Sequence, residues 1–260
     1  MNIDSIQDVT CLPFTAFGPE SAEPVIFIHG FGADASTWRN LQTQMENTRR
    51  TIAFDLPAHG RALANFAPSN AVGSAKAITK SLDALKLDKV HLVGHSMGGA
   101  IASLIAMRSP ERIASLTLLA PGGFGPEINA KLLRRYATTH TEAGQQVLLE
   151  QFVGLEFKLP KKLAEYVATQ RATPGASEAL KAVAELILEG DRQGVLPTEK
   201  LAELPMPIKV VWGTQDKILP TRQCHKLPGP VACHVFDGVG HMVHMEIPQD
   251  VIRLILENIR

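Results

Sequence analysis

Short, mainly apolar runs alternate along this chain with longer stretches of helical periodicity. The runs are Pro24–Ile28, Thr51–Phe54, Lys89–Val93, Leu116–Ala120, Pro207–Trp212 and Val231–Phe236. Each has the length of a strand, and near-continuous apolarity over that length buries both faces. That is the condition of a parallel sheet covered by helices on two sides. Helical patterns over Ala71–Leu85, Met97–Arg108 and Pro248–Ile259 supply the cover. Residues 3–17, ending before Gly18-Pro19, predict one or two antiparallel strands at the sheet edge.

One interval breaks this rhythm. Between Ala120 and Ile208 the chain has no strand-like run, only helical stretches near Glu127–Thr139, Glu142–Phe152, Pro160–Arg171 and Ser177–Leu188. A crossover between parallel strands needs one helix, so most of this interval is an insertion. It follows the carboxyl end of a strand, the side on which open α/β sheets bind ligands. The expected organisation is a core of residues 1–121 and 196–260 with a helical cap of residues 122–195.

The most informative junction is the passage from Val90–Val93 into Gly94-His95-Ser96-Met97-Gly98-Gly99. A buried strand that turns at once into an apolar helix fits the G-x-S-x-G nucleophile elbow. The glycines leave room for a sharp turn, and the helix N-terminus favours developing negative charge at Ser96. A serine nucleophile needs a base, a group that orients the base, and donors for an oxyanion. His241, in Gly238-Val239-Gly240-His241 just after the last strand-like run, is the base candidate, with His244 and His234 as rivals. Asp216, four residues beyond Trp212, is the acid candidate, with Asp237 in the later loop as the alternative. His29-Gly30-Phe31-Gly32 follows the first core strand, so the amides of Phe31 and Met97 are the expected oxyanion donors.

Composition narrows the partners. Lys plus Arg and Asp plus Glu both number 26 in 260 residues, for a formal net charge of zero. This argues against nucleic acid and against an anionic membrane surface. No apolar stretch approaches the roughly 18 residues of a membrane span. The start, Met1 to Ser5, lacks the basic and apolar regions of a signal peptide. With three cysteines, Cys11, Cys224 and Cys233, read as reduced thiols, the expectation is a cytoplasmic protein. His241 and His244 lack the carboxylate set of a metal site, and no dinucleotide-binding glycine fingerprint is present, so no metal and no organic cofactor is expected.

These motifs together resemble the α/β-hydrolase fold over nearly the whole chain. Phe54-Asp55-Leu56-Pro57-Ala58-His59-Gly60 is similar to that family's D-x-P-G-x-G turn, with Ala58 where the family has glycine. Four stretches are similar to the hydrolase-fold domain of acetoin dehydrogenase E2 acyltransferases: His29–Asp34, Gly94–Gly99, Leu119–Asn129 and Gly240–Glu246. Pro121–Pro126 is also similar to hydrolases of aromatic meta-cleavage products, although Met242 stands where those carry a bulky aromatic. The resemblance implies a serine hydrolase acting on an ester, thioester or related acyl or C–C bond of a small molecule. Ser96, His241 and Asp216 would then carry an acyl-enzyme mechanism. Two alternatives stay open: acyl transfer to a thiol on a separate carrier, and a non-catalytic ligand receptor that retains the three residues.

Overall fold

A strand with apolar residues at successive positions must bury both faces, and this chain does so with one seven-stranded sheet. The computed structural model describes residues 11–21 and 23–259. Its strands are β1 (Phe14–Phe17), β2 (Val25–Ile28), β3 (Thr51–Phe54), β4 (Val90–His95) and β5 (Ile113–Leu119). A small hairpin of β6 (Leu188–Glu189) and β7 (Arg192–Gln193) follows, then β8 (Ile208–Gly213) and β9 (Ala232–Phe236). The helices are α1 (Arg39–Met45), α2 (Ala71–Ala84), α3 (Met97–Arg108), α4 (Ala130–Thr138), α5 (Glu142–Leu149), α6 (Leu163–Ala172), α7 (Ala176–Ile187), α8 (Val243–Glu246) and α9 (Pro248–Asn258).

The sheet order is β1-β3-β2-β4-β5-β8-β9, and every neighbouring pair is parallel except β1 with β3. Strand β2 shows how alternation feeds two cores. Val25 and Phe27 pack among Trp38, Leu41 and Ile255, whereas Ile26 and Ile28 join the cluster of Ile78 and Ile101. Helices α1 and α9 therefore cover one face, and α2 and α3 the other. Each large apolar side chain so buried is worth about 1.5–3 kcal/mol.

Most element expectations hold, and the differences have local causes. Strand β5 starts at Ile113, ahead of the apolar run, because polar Ser115 is satisfied sideways by His91 Nδ1 at 2.9 Å. The antiparallel edge strand exists as β1; residues 3–10 of that expectation lie outside the described residues. The long interval holds the four expected helices, α4 to α7, but α5 ends at Leu149, and the hairpin turns at Gly190 with φ of 62°. Ala58 adopts φ of 65°, the left-handed conformation for which glycine is the strain-free choice. All three cysteines are free thiols. Among the described residues, no helix is long and apolar enough to cross a membrane.

Parallel register brings the ends of β2, β4, β8 and β9 to one edge. The loops leaving those ends carry Phe31, Ser96, Asp216 and His241 in turn.

Candidate active site

Ser96 sits between β4 and α3 with φ of 55° and ψ of −119°, a strained conformation for a residue with a side chain. Tight packing explains why the strain persists. A Cβ on Gly94 would lie 2.3 Å from the Gly98 carbonyl oxygen, and one on Gly98 would lie 2.1 Å from that of Ile28. The Ser96 amide donates to the Leu119 carbonyl at 3.0 Å, and its own carbonyl accepts from Gly99, Ala100 and Gly122. Backbone bonds thus fix the turn and leave the hydroxyl free. Ser96 lines a cavity of about 240 Å³ with Phe31, Met97, Leu133, Ile187 and Leu219.

Asp216 and His241 meet. His241 Nδ1 donates to Asp216 Oδ2 at 2.7 Å, with both side chains essentially fully buried. The carboxylate also accepts from Trp212 Nε1 at 3.1 Å and from the Ile218 and Leu219 amides at 2.8 and 2.9 Å. Four donors on one carboxylate fix its plane. The His241 backbone is pinned from both sides, its amide to the Phe152 carbonyl at 2.7 Å and its carbonyl to His95 Nε2 at 2.9 Å. Among the described residues, no hydrogen bond joins Ser96 to His241; catalytic hydrogen bonds commonly tighten only with substrate bound.

The rival residues lie outside this Asp216–His241 contact. His244 is buried against Trp38 and bonds Thr37 Oγ1 through Nε2 at 3.0 Å. His234 lies on edge strand β9, and Asp237 is exposed and accepts from Thr214 Oγ1.

The amides of Phe31 and Met97 both lack a hydrogen-bond partner among the described residues. Two histidines hold the loop that carries the first. His29 donates from Nδ1 to the Gly30 carbonyl at 2.8 Å and accepts the Leu56 amide on Nε2 at 3.0 Å. His59 donates from Nδ1 to the Pro57 carbonyl at 2.9 Å and accepts the Gly32 amide on Nε2 at 3.1 Å. Each ring uses one nitrogen as donor and the other as acceptor, so each must be neutral. Burial enforces this: it lowers the pKa of His29 and, with the nearby His29, takes that of His59 down to about 3.

These supports were not apparent from sequence patterns, and neither was Glu246. Its carboxylate accepts the amides of Gly154, Gly240 and Met242 at 2.8, 2.9 and 3.1 Å, bracing the His241 loop. The rings of His95 and His244 lie tilted at 57° with centroids 4.6 Å apart, and burial holds His95 well below its ordinary range and His244 at about 3. No periodicity signals such contacts, which join residues far apart in the chain.

The buried histidines make an acid-sensitivity prediction. An unfolded imidazole takes up its proton near pH 6.5, whereas His59 and His244 resist protonation to about pH 3 in the fold. Below pH 6.5 the unfolded chain therefore binds more protons, and stability falls as pH falls. Each of the two contributes up to about 1.4 kcal/mol per pH unit. Urea melts between pH 7.5 and pH 5 should show this slope, flattened in His59→Gln, whose amide stays neutral. A stability that does not change over that range contradicts the prediction.

A family model described as the alpha/beta hydrolase family matches residues 25–254. The chain is a member of that family. Among curated relatives it is 29% identical to the dihydrolipoyllysine-residue acetyltransferase component of the acetoin cleaving system of Cupriavidus necator, and 32% identical to that of Pseudomonas putida. These matches cover 92% and 94% of the chain, which spans 64% and 65% of the relatives' own lengths. It is 25% identical to the monoacylglycerol lipase ABHD6 of Rattus norvegicus, over 92% of the chain and 76% of that protein. The meta-cleavage product hydrolase of Pseudomonas fluorescens IP01 superposes with a TM-score of 0.82 at 24% identity, covering 94% of this chain and 92% of that one. That likeness concerns the fold.

Proposed function

We propose that this family member is a serine hydrolase that cleaves an acyl bond through a Ser96 acyl-enzyme. The observation that carries the reading is the buried 2.7 Å contact of Asp216 with His241, beside a strained Ser96 that opens onto a cavity. Ser96 Oγ attacks the acyl carbonyl as His241 Nε2 takes its proton. Asp216 keeps the other ring nitrogen protonated and stabilises the imidazolium. The oxyanion of the tetrahedral intermediate meets the free amides of Phe31 and Met97. His241 then returns the proton to the leaving group, and water, activated the same way, releases the acid. The deciding experiment is labelling with a fluorophosphonate probe and mapping of the adduct. Modification of Ser96 is expected; an unlabelled protein would be a ligand receptor with an idle triad.

The likeness to the acetyltransferase components carries a second reading, in which a thiol on a separate carrier replaces water as acceptor. Assays of p-nitrophenyl esters, acyl-thioesters and dienoate C–C substrates, each with and without added thiol, distinguish the two. Thiol-dependent product that outpaces free acid favours transfer.

Residues 122–195 act in this reading as a cap over the core of residues 1–121 and 196–260. Leu133 of α4 and Ile187 of α7 line the cavity beside Ser96, so they set how much acyl chain it accepts. Leu155 in the same interval is solvent-exposed and lines neither of the two main cavities. Leu133→Trp should shift the preference of kcat/KM toward acetyl over hexanoyl esters by about tenfold or more. A chain-length profile unchanged by that substitution would place acyl selection outside the cap.

A further inference from the structure

A second, larger cavity of about 590 Å³ is lined by α6 and by Gly32, whereas the adjoining Phe31 lines the cavity of Ser96. Its walls include Gly32, His59, Tyr136, Leu163, Arg171 and Met242, the last directly after His241. Arg171 is the unusual group. It is only 5% exposed, yet among the described residues no carboxylate comes within 4.0 Å of its guanidinium. Its neighbours are two carbonyls and a ring: Nη2 donates to Gly32 O at 2.9 Å, Nε to Tyr136 O at 3.4 Å, and Cζ sits 4.8 Å from the Tyr136 ring centroid.

A guanidinium has five N–H donors in a fixed fork. Two are used here, which leaves the Nη1 pair and one more with no acceptor among the described residues. Asp34, on the same cavity wall, is already engaged, accepting the Ser36 amide at 2.8 Å and the Tyr166 hydroxyl at 2.5 Å. The charged side chains lining the cavity are then Arg39, Arg171 and Asp34, an excess of one positive charge before the histidines, whose burial keeps them neutral. A buried cation without a paired carboxylate is costly, and desolvation pulls Arg171 below its ordinary basicity even though Asp34 and Tyr136 act in the opposite sense. An anion entering this cavity would balance the excess positive charge and meet a fork suited to two oxygens.

We propose that this cavity is the leaving-group subsite and that Arg171 receives there a carboxylate or phosphate borne by the substrate's alcohol portion. The assignment to a leaving group rests on the serine-hydrolase reading; the anion site itself does not. In that geometry the acyl group occupies the apolar cavity at Ser96, and the Phe31–Gly32 turn lies between the two halves of the substrate. The same arginine grips the Gly32 carbonyl, so an anion on Arg171 also reinforces the loop that presents the Phe31 amide.

The test compares butyrate esters that differ only in the alcohol: the ester of glycolic acid, its methyl-capped neutral form, and 2-(butyryloxy)ethyl phosphate. Wild-type kcat/KM for one of the anionic esters should exceed that for the neutral ester by about tenfold, the worth of a charged hydrogen bond. The better anionic ester tells carboxylate from phosphate. In Arg171→Met the ratio should collapse to about one, and in Arg171→Lys, which keeps the charge but not the fork, it should fall between. Because each ratio is taken within one protein, partial loss of folding cancels. Calorimetric binding of the non-hydrolysed esters to Ser96→Ala gives a readout independent of turnover, with the same preference expected. No preference in wild type, or one that survives in Arg171→Met, overturns the proposal and leaves Arg171 a brace for Gly32. If fluorophosphonate leaves Ser96 unlabelled and no ester is cleaved, the hydrolase reading fails, while the binding ratio still decides the anion site.

Discussion

Ser96→Ala should lower kcat by roughly 10⁴–10⁶ while leaving the fold intact. The size follows from what the substitution removes and what it leaves. In the proposed mechanism no acyl-enzyme forms without Oγ, so His241 is left at best to activate water directly against a bound substrate. The free amides of Phe31 and Met97 and the two cavities remain, and such groups alone keep a residual rate above that in water. The fold should survive because Oγ has no hydrogen-bond partner among the described residues. The turn is held instead by backbone bonds from Ser96 to Leu119, Gly99, Ala100 and Gly122. Alanine keeps the Cβ already accommodated at φ of 55°, so the backbone strain is unchanged. Steady-state kinetics with a short p-nitrophenyl ester, alongside a thermal melt, checks both halves. Activity within tenfold of wild type would mean that another group performs the attack.

Much of this arrangement is legible in the sequence because it is local. The wholly apolar β2 and the mainly apolar β4 and β8, interrupted only by His91, His95 and Lys209, announce strands buried on both faces, and Gly94, Gly98 and Gly99 announce a turn in which no side chain fits. Asp216 and His241 stand just after β8 and β9, so chain order alone predicts their meeting. Other parts depend on contacts between distant segments and leave no periodic trace. Arg171 reaches Gly32 across 139 positions, and Glu246 reaches Gly154 across 92. His29 and His59 look like ordinary loop histidines until each is seen to bond a carbonyl with one nitrogen and an amide with the other. The hairpin of β6 and β7 is too short for alternation to register, and the polar Ser115 hides the start of β5 because its partner His91 lies on the neighbouring strand.

Asp216→Asn carries the second large effect, a loss in kcat of about 10⁴ with substrate binding little changed. The four bonds to the carboxylate explain why an isosteric amide cannot serve. Oδ1 accepts the Ile218 and Leu219 amides, whose protons cannot move, so the carbonyl oxygen of the asparagine must stay there. Its NH₂ group is then forced into the Oδ2 position, facing His241 Nδ1 and the Trp212 indole N–H. The imidazole can tautomerise, accepting on Nδ1 and carrying its proton on Nε2. In that form it has no lone pair to take the serine proton. Trp212 Nε1 keeps the Leu219 carbonyl at 3.0 Å, so the cost in stability should be modest, about 1–3 kcal/mol for opposed donors in a buried site. Asp237→Asn is the control, because Asp237 is exposed and among the described residues its side chain bonds only Thr214 Oγ1. It should leave kcat within about twofold, as surface substitutions ordinarily do. Measuring kcat and KM for both variants on one ester, with a melt for each, separates lost chemistry from lost folding. A large loss in Asp237→Asn beside a nearly active Asp216→Asn would move the orienting acid to the β9 loop and with it the whole assignment of this site.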